Sequence, residues 1–184
     1  MILRALTVAD AHAFWDLRLL GFQTNPEAFG SSWEESHELP FEEIEAMVAE
    51  RTRGPHHVIL GAFDQGALWG ILGFRRQISL KEQHKAHLWG VFVHPDWRGK
   101  GVGGLLLDEI LRLAATMPGL RQVQLQVTAE NAASVGLYRS RGFEVFGQEA
   151  EALFVNGRYY TDLHMVRRLE MRATPAHNTP AQVE

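Results

Sequence analysis

Four glycines, one arginine and one lysine fall within seven consecutive residues, Arg98-Gly99-Lys100-Gly101-Val102-Gly103-Gly104, between an apolar run and a leucine-rich one. A helix N-terminus leaves its first backbone N–H groups unpaired and carries a partial positive charge. A glycine-rich entry lets those groups close on an anion without Cβ obstruction, so this turn has the chemistry of a diphosphate site. Farther on, Asn131 and Tyr138 stand seven residues apart, about two turns, and project from one face of a short helix. His84, His87 and His94 occupy an extended segment and a turn, with no cysteine and no helical histidine pair, which is a poor pattern for zinc. No metal is expected.

The elements that must position these residues follow from periodicity and turn chemistry. "ILRALT" is a strand; a helix capped by Asp10 follows to about Leu20, with Phe14, Leu17 and Leu20 on one side. "LPFEEIEAMVAER" is a second helix that buries Phe41, Ile44, Met47 and Val48 and turns its glutamates to water. "HVILGAFD" and "ALWGILGFRRQI" flank Asp64-Gln65-Gly66 as an antiparallel hairpin, and "AHLWGVFV" is a third long strand that leads into the glycine turn. "GLLLDEILRLAATM" is a helix with Leu106, Ile110, Leu113 and Met117 inside. "RQVQLQVT" alternates as a strand, "NAASVGLYRSR" is a short helix between an Asn131 cap and Gly142, and "EALFV" and "RYYTDLHMVRRL" flank Asn156-Gly157 as a last hairpin. The order β-α-α-β-β-β-α-β-α-β-β predicts a mixed α/β domain with a largely antiparallel sheet.

Composition narrows the function classes. The 184 residues are 46% hydrophobic and 22% charged, ordinary for one globular domain, and the formal net charge of −4 gives no basic field for nucleic acid. Zero cysteines exclude a disulfide framework, a thiolate metal site and a cysteine nucleophile. The charged N-terminal stretch is unlike a signal peptide and no apolar run reaches membrane-spanning length, so a cytoplasmic protein without membrane partners is expected. The domain is expected to span 1–169, and the Pro-, Ala- and Thr-containing tail 170–184 to be disordered.

Three phosphate-binding patterns compete for the glycine turn. A P-loop needs Ser or Thr after its lysine, and here Lys100 precedes Gly101. The dinucleotide pattern G-x-G-x-x-G is met by Gly99, Gly101 and Gly104, yet the region about 20 residues on, "VQLQV", lacks the acid that would hold a ribose. The third pattern accounts for more of the chain. Arg98-Gly99-Lys100-Gly101-Val102-Gly103, with "VFVHPDW" before it and "LLLDEILRLA" after it, resembles the acyl-CoA-binding core of the GNAT superfamily of N-acetyltransferases. "VTAENAASVGLYRSRGFEVFG", residues 127–147, independently resembles that family's Asn turn, tyrosine helix and Gly-Phe return strand. "PEAFGSSWEE" and "YYTDLHM" look like segments of one bacterial branch of it.

The resemblance implies a single-domain GNAT fold, a twisted, mostly antiparallel sheet with helices on both faces and splayed central strands. It implies that the turn from Arg98 through Gly99, Lys100, Gly101, Val102 and Gly103 to Gly104 holds the CoA pyrophosphate. Main-chain groups near Val91 and Val93 would pair with the pantetheine arm, Asn131 would help to fix it, and Tyr138 would protonate the departing thiolate. Acetyl-CoA is then the co-substrate and a primary amine the acceptor, which attacks the thioester directly in a ternary complex. Glu34, Glu35 and His87 are candidate bases; a histidine titrates in a suitable range, and His87 shares a strand face with Trp89 and Val91 unless a bulge shifts the register. Phe22, Phe29 and Trp33 are either an acceptor wall or core. A non-catalytic acyl-CoA sensor is the alternative reading, although a sensor has no need of an acid at Tyr138. A homodimer is left open by the sequence, as is the identity of the amine.

Overall fold

The computed structural model describes residues 1–169 as a seven-stranded sheet in the order β1-β2-β3-β4-β5-β7-β6, covered by helices on both faces. The strands are β1 (Ile2–Ala5), β2 (His57–Asp64), β3 (Ala67–Arg76), β4 (Lys85–Val93), β5 (Gln122–Thr128), β6 (Glu144–Val155) and β7 (Arg158–Arg168). The helices are α1 (Ala11–Thr24), α2 (Trp33–Ser36), α3 (Phe41–Arg51), α4 (Val102–Thr116) and α5 (Ala132–Arg139). All neighbouring strands pair antiparallel except β4 and β5, which are parallel. The expected tail, 170–184, lies outside the described residues.

Sequence periodicity places most elements, and the departures have local causes. Both hairpins turn as their sequences require: Gln65 and Gly66 have φ of 48° and 83°, Asn156 and Gly157 of 50° and 79°, the paired left-handed residues whose twist matches the flanking strands. Asp10 sits at the N-cap of α1, but its side chain does not cap it. The carboxylate instead accepts from both terminal nitrogens of Arg4 at 2.7 and 2.8 Å and from the Thr7 amide at 2.8 Å, which ties β1 to the turn before α1. α2 is one turn long, too short to show a period, and is capped by Ser32 accepting from the Glu35 amide. β6 starts at Glu144, well before the expected "EALFV". Its two register shifts against β7, with Glu151 at φ 55°, break the alternation that would have revealed the longer strand.

The sheet separates two cores. Leu60, Leu72, Phe74 and Leu88 pack with Leu106, Leu107 and Ile110 of α4 and with Val135 and Tyr138 of α5 on one face. Ile59, Ile71 and Phe92 pack with Phe14, Leu17 and Phe22 of α1 and with Ile44 and Val48 of α3 on the other. Alternation is regular along β2, and along β3 beyond a register shift at Leu68–Gly70, whereas in the middle of β4 Leu88 and Phe92 are four residues apart yet lie on opposite faces. Strand period two forbids that without an inserted residue. The register supplies it: Ile71 to Gly73 on β3 is opposed by Phe92 to Trp89 on β4, two steps against three, and Gly90 within the longer span has φ 59°. This is a β-bulge.

Gly73 makes the bulge packable, because a Cβ there would lie 2.1 Å from Cε2 of the Trp89 indole. Gly73→Ala must displace that ring and is expected to cost about 1–3 kcal/mol. Gly30→Ala, where a Cβ meets nothing within 4 Å, is the control. Urea denaturation checks this: a clear drop in midpoint for the first variant and almost none for the second.

Candidate functional site

The glycine turn is built by two different constraints. Gly99 and Gly101 have φ of 72° and 81°, where an L side chain is strained, although a Cβ at either would meet nothing within 4 Å. Gly103 and Gly104 have ordinary φ but close neighbours: a Cβ would come 3.2 Å from Leu137 Cδ2 and 2.5 Å from Arg141 Nη2. Gly101 is the N-cap of α4 and provides no side-chain cap, and the helical ladder beyond it begins with the Leu105 amide bonding the Gly101 carbonyl at 3.0 Å. The amides of Val102, Gly103 and Gly104 precede that bond and point, with the helix dipole, out of the turn.

The two cations of the turn do different things. Arg98 is a brace: its Nε donates to the Val93 carbonyl at 3.1 Å and a terminal nitrogen to Asn25 Oδ1 at 2.7 Å, joining the end of β4 to the end of α1. Lys100 swings over the Trp97 ring, with Nζ 4.7 Å from its centroid, and stays exposed at the rim.

From this turn a groove of about 330 Å³ runs along β4, lined by Val91, Val93, Arg98, Gly99, Gly101, Val102, Gly103 and Gly104 on one side and by Asn131, Ser134, Leu137 and Tyr138 on the other. It brings together every expected CoA-contacting residue except Lys100. Its floor exists because β4 and β5 pair only over Lys85–His87 and Gln122–Gln124, after which they diverge and leave the β4 edge at Val91 and Val93 without a strand partner. In the wedge between them lies a fissure of about 70 Å³, lined by Leu88, Trp89, Gly90, Val91, Gln126, Thr128, Asn131 and Tyr138 among others. Thr128 holds the far side of the wedge by donating to the Glu27 carbonyl at 2.6 Å.

Asn131 caps α5, its side-chain oxygen accepting from the Ser134 amide at 3.0 Å, and lines both groove and fissure. Tyr138 is only 5% exposed, packs edge-on against Phe143, and turns into the same fissure. Burial raises its pKa above the ordinary tyrosine range, so the phenol is fully protonated at neutral pH.

The candidate bases separate. Glu34 and Glu35 are exposed and line an outer cavity with Trp33 and Phe154, away from the fissure. His87 lines a neighbouring cavity with Arg51, Arg75 and Trp89; burial first, then Arg75 and Lys85, hold its pKa down and keep it neutral. It shares a face with Trp89, but the bulge carries Val91 to the other side. Phe22 and Phe29 are core, and Phe29 also walls the groove, while Trp33 stacks on His37.

Two residues escaped the sequence reading. Asp162 of β7 pairs across the sheet with Thr128, its Oδ1 3.3 Å from the hydroxyl oxygen whose proton goes chiefly to the Glu27 carbonyl, and lines a cavity of about 430 Å³ that shares Trp89, Gly90, Gln126 and Thr128 with the fissure. Burial pushes its carboxyl pKa up. Arg18 of α1 lines that cavity too. Both sit in plausible amphipathic patterns, and only tertiary placement distinguishes them from surface charges.

Comparison with known proteins agrees with this geometry. The family model described as "Acetyltransferase (GNAT) family" matches residues 12–143. The spermidine N(1)-acetyltransferase of Vibrio cholerae is 27% identical over 144 residues, 78% of this chain and 82% of the relative. An acetyltransferase of the GNAT family from Streptococcus pneumoniae superposes with a TM-score of 0.82 at 22% identity, covering 92% of this chain and 99% of that one. YncA from Salmonella typhimurium, solved with its cofactor acetyl-CoA, superposes at 0.76 with 22% identity over 96% and 98% of the two chains. With a glycine turn at a helix N-terminus, an opened β4 edge and a family match that spans both, the chain belongs to the acetyltransferase (GNAT) family.

Proposed function

We propose that this protein is an acetyl-CoA-dependent N-acetyltransferase acting by direct attack of an amine on the thioester in a ternary complex. The observation that carries this reading is one continuous path: the free amides of α4, the unpaired edge of β4, the fissure at Tyr138, and the cavity beyond it at Asp162. Family membership supports the acetyl donor. The pyrophosphate sits on the amides of Val102, Gly103 and Gly104, the pantetheine arm runs along Val91 and Val93 as an added strand would, and the thioester reaches the fissure.

The amine nitrogen bonds to the thioester carbonyl carbon, and the carbonyl oxygen takes up negative charge that backbone N–H donors beside the fissure stabilise. The C–S bond then breaks. Tyr138, buried and protonated, donates to the leaving sulfur, and the ammonium proton passes to a base, directly or through water. We assign that role to Asp162 rather than to Glu34, Glu35 or His87, because its cavity adjoins the fissure and its raised pKa makes it a stronger proton acceptor than an ordinary carboxylate. A polyamine, the substrate in the name of the Vibrio relative, is one member of the acceptor class.

Tyr138→Phe is expected to bind acetyl-CoA normally and to lose about 100-fold or more in kcat, the usual worth of a positioned acid; free-thiol release alongside calorimetric binding separates the two effects. Binding with no amine-stimulated release in the native protein would favour the sensor reading. Asp162→Asn is expected to lower kcat by about 100-fold with the KM for acetyl-CoA unchanged, and His87→Gln to leave kcat nearly intact; the opposite ranking makes His87 the base.

A further inference from the structure

Arg18 is 8% exposed, and its Nε and Nη1 have no hydrogen-bond partner. It belongs to none of the ion pairs formed by the described residues. A guanidinium withdrawn from water without an anion is costly, and stable folds rarely tolerate it without a use. Its surroundings compensate in part: the rings of Phe22, Trp89, Phe14 and Phe29 have centroids 4.9, 5.7, 5.8 and 5.9 Å from its central carbon. Burial, with Arg51 as a second cause, pulls its pKa down to about 10, so the charge is retained at neutral pH.

The fold makes room for this charge at one place. A Cβ on Gly90 would stand 2.5 Å from Arg18 Nη1, so the bulge glycine that opens the thioester fissure is also what admits the guanidinium. Arg18 lines the cavity beyond the fissure together with Asp162 and Glu149. Glu149 is engaged by His164 at 3.2 Å, and Asp162 faces Thr128, so neither acid neutralises Arg18. The cavity therefore presents one unpaired cation and, apart from it, carboxylates suited to an ammonium.

We propose that Arg18 anchors a carboxylate of the acceptor, and that the acceptor is an amino-carboxylic acid whose amine lies toward Asp162 and the thioester. This rests on the acetyltransferase reading and names its substrate class. A guanidinium gives charge-assisted N–H donors to a carboxylate, and from a side chain as buried as Arg18 that pairing is both strong and selective.

The test is thiol release from acetyl-CoA with α- and ω-amino acids, each matched to the amine that lacks the carboxylate, with spermidine as a polycationic arm. For the best amino acid, kcat/KM is expected to exceed that of its decarboxylated partner by on the order of 100-fold, the scale of a buried charge pair losing one member. Arg18→Met should erase that preference and Arg18→Lys restore part of it. Thermal melting adds a readout independent of turnover: apo Arg18→Met should melt no lower than the native protein, and amino or N-acetylamino acids should raise the melting temperature of the CoA-bound native protein but not of Arg18→Met. Equal rates within pairs, a preference for spermidine, or no carboxylate-dependent melting shift overturns the Arg18 assignment while acetyl transfer stands. Failure of acetyl-CoA itself to bind removes both.

Discussion

An inserted residue in the middle of a central strand changes what the strand can do. At Gly90 the β4 backbone takes a left-handed φ, Leu88 and Phe92 part to opposite cores, and pairing with β5 has already ended at His87. The edge that would have bonded β5 is freed over Val91 and Val93, within a sheet otherwise hydrogen-bonded through its neighbours. Buried edges without partners are normally avoided, because unpaired main-chain groups lose their water. Here the edge lines a groove, where an extended ligand can take the place of the missing strand.

The surrounding contacts hold that opening in one shape. Arg98 pins the end of β4 to Asn25, Thr128 pins the end of β5 to Glu27, and both anchors lie at or just beyond the C-terminus of α1. The glycine turn then sits at one end of the groove and Tyr138 at the other. The same α1 sends Arg18 under the bulge, so the segment that props the wedge open also places a buried cation at the cavity beyond it. Gly73, beneath the Trp89 indole, and Gly90, above the Arg18 guanidinium, are the two places where a side chain would close the arrangement.

What the sequence revealed and what it concealed divide along a physical line. Local signals were legible: the Asn-Gly and Gln-Gly turns, the glycine entry to α4, and the helical spacing of Asn131 and Tyr138 all depend on residues near one another in the chain. The consequences of tertiary packing were not. Arg18 reads as an ordinary charge on an amphipathic helix until four aromatic rings surround it, and Asp162 reads as a strand polar residue until Thr128 and the cavity are opposite it. His87 could be placed on the Trp89 face, but only the position of the bulge shows that Val91 leaves that face. The same bulging hides most of β6, whose alternation is interrupted twice.

The central claim is that the open edge of β4 is a binding surface for an extended acyl carrier. Residue-resolved amide hydrogen exchange, with and without saturating acetyl-CoA, tests it most directly. Slowed exchange both at Val102, Gly103 and Gly104 and along Val91 to Val93 is the predicted result, since the proposed phosphate and pantetheine contacts fall on successive parts of one groove. Protection at the glycine turn with β4 unchanged would contradict it, because the carrier would then be held by its phosphates alone.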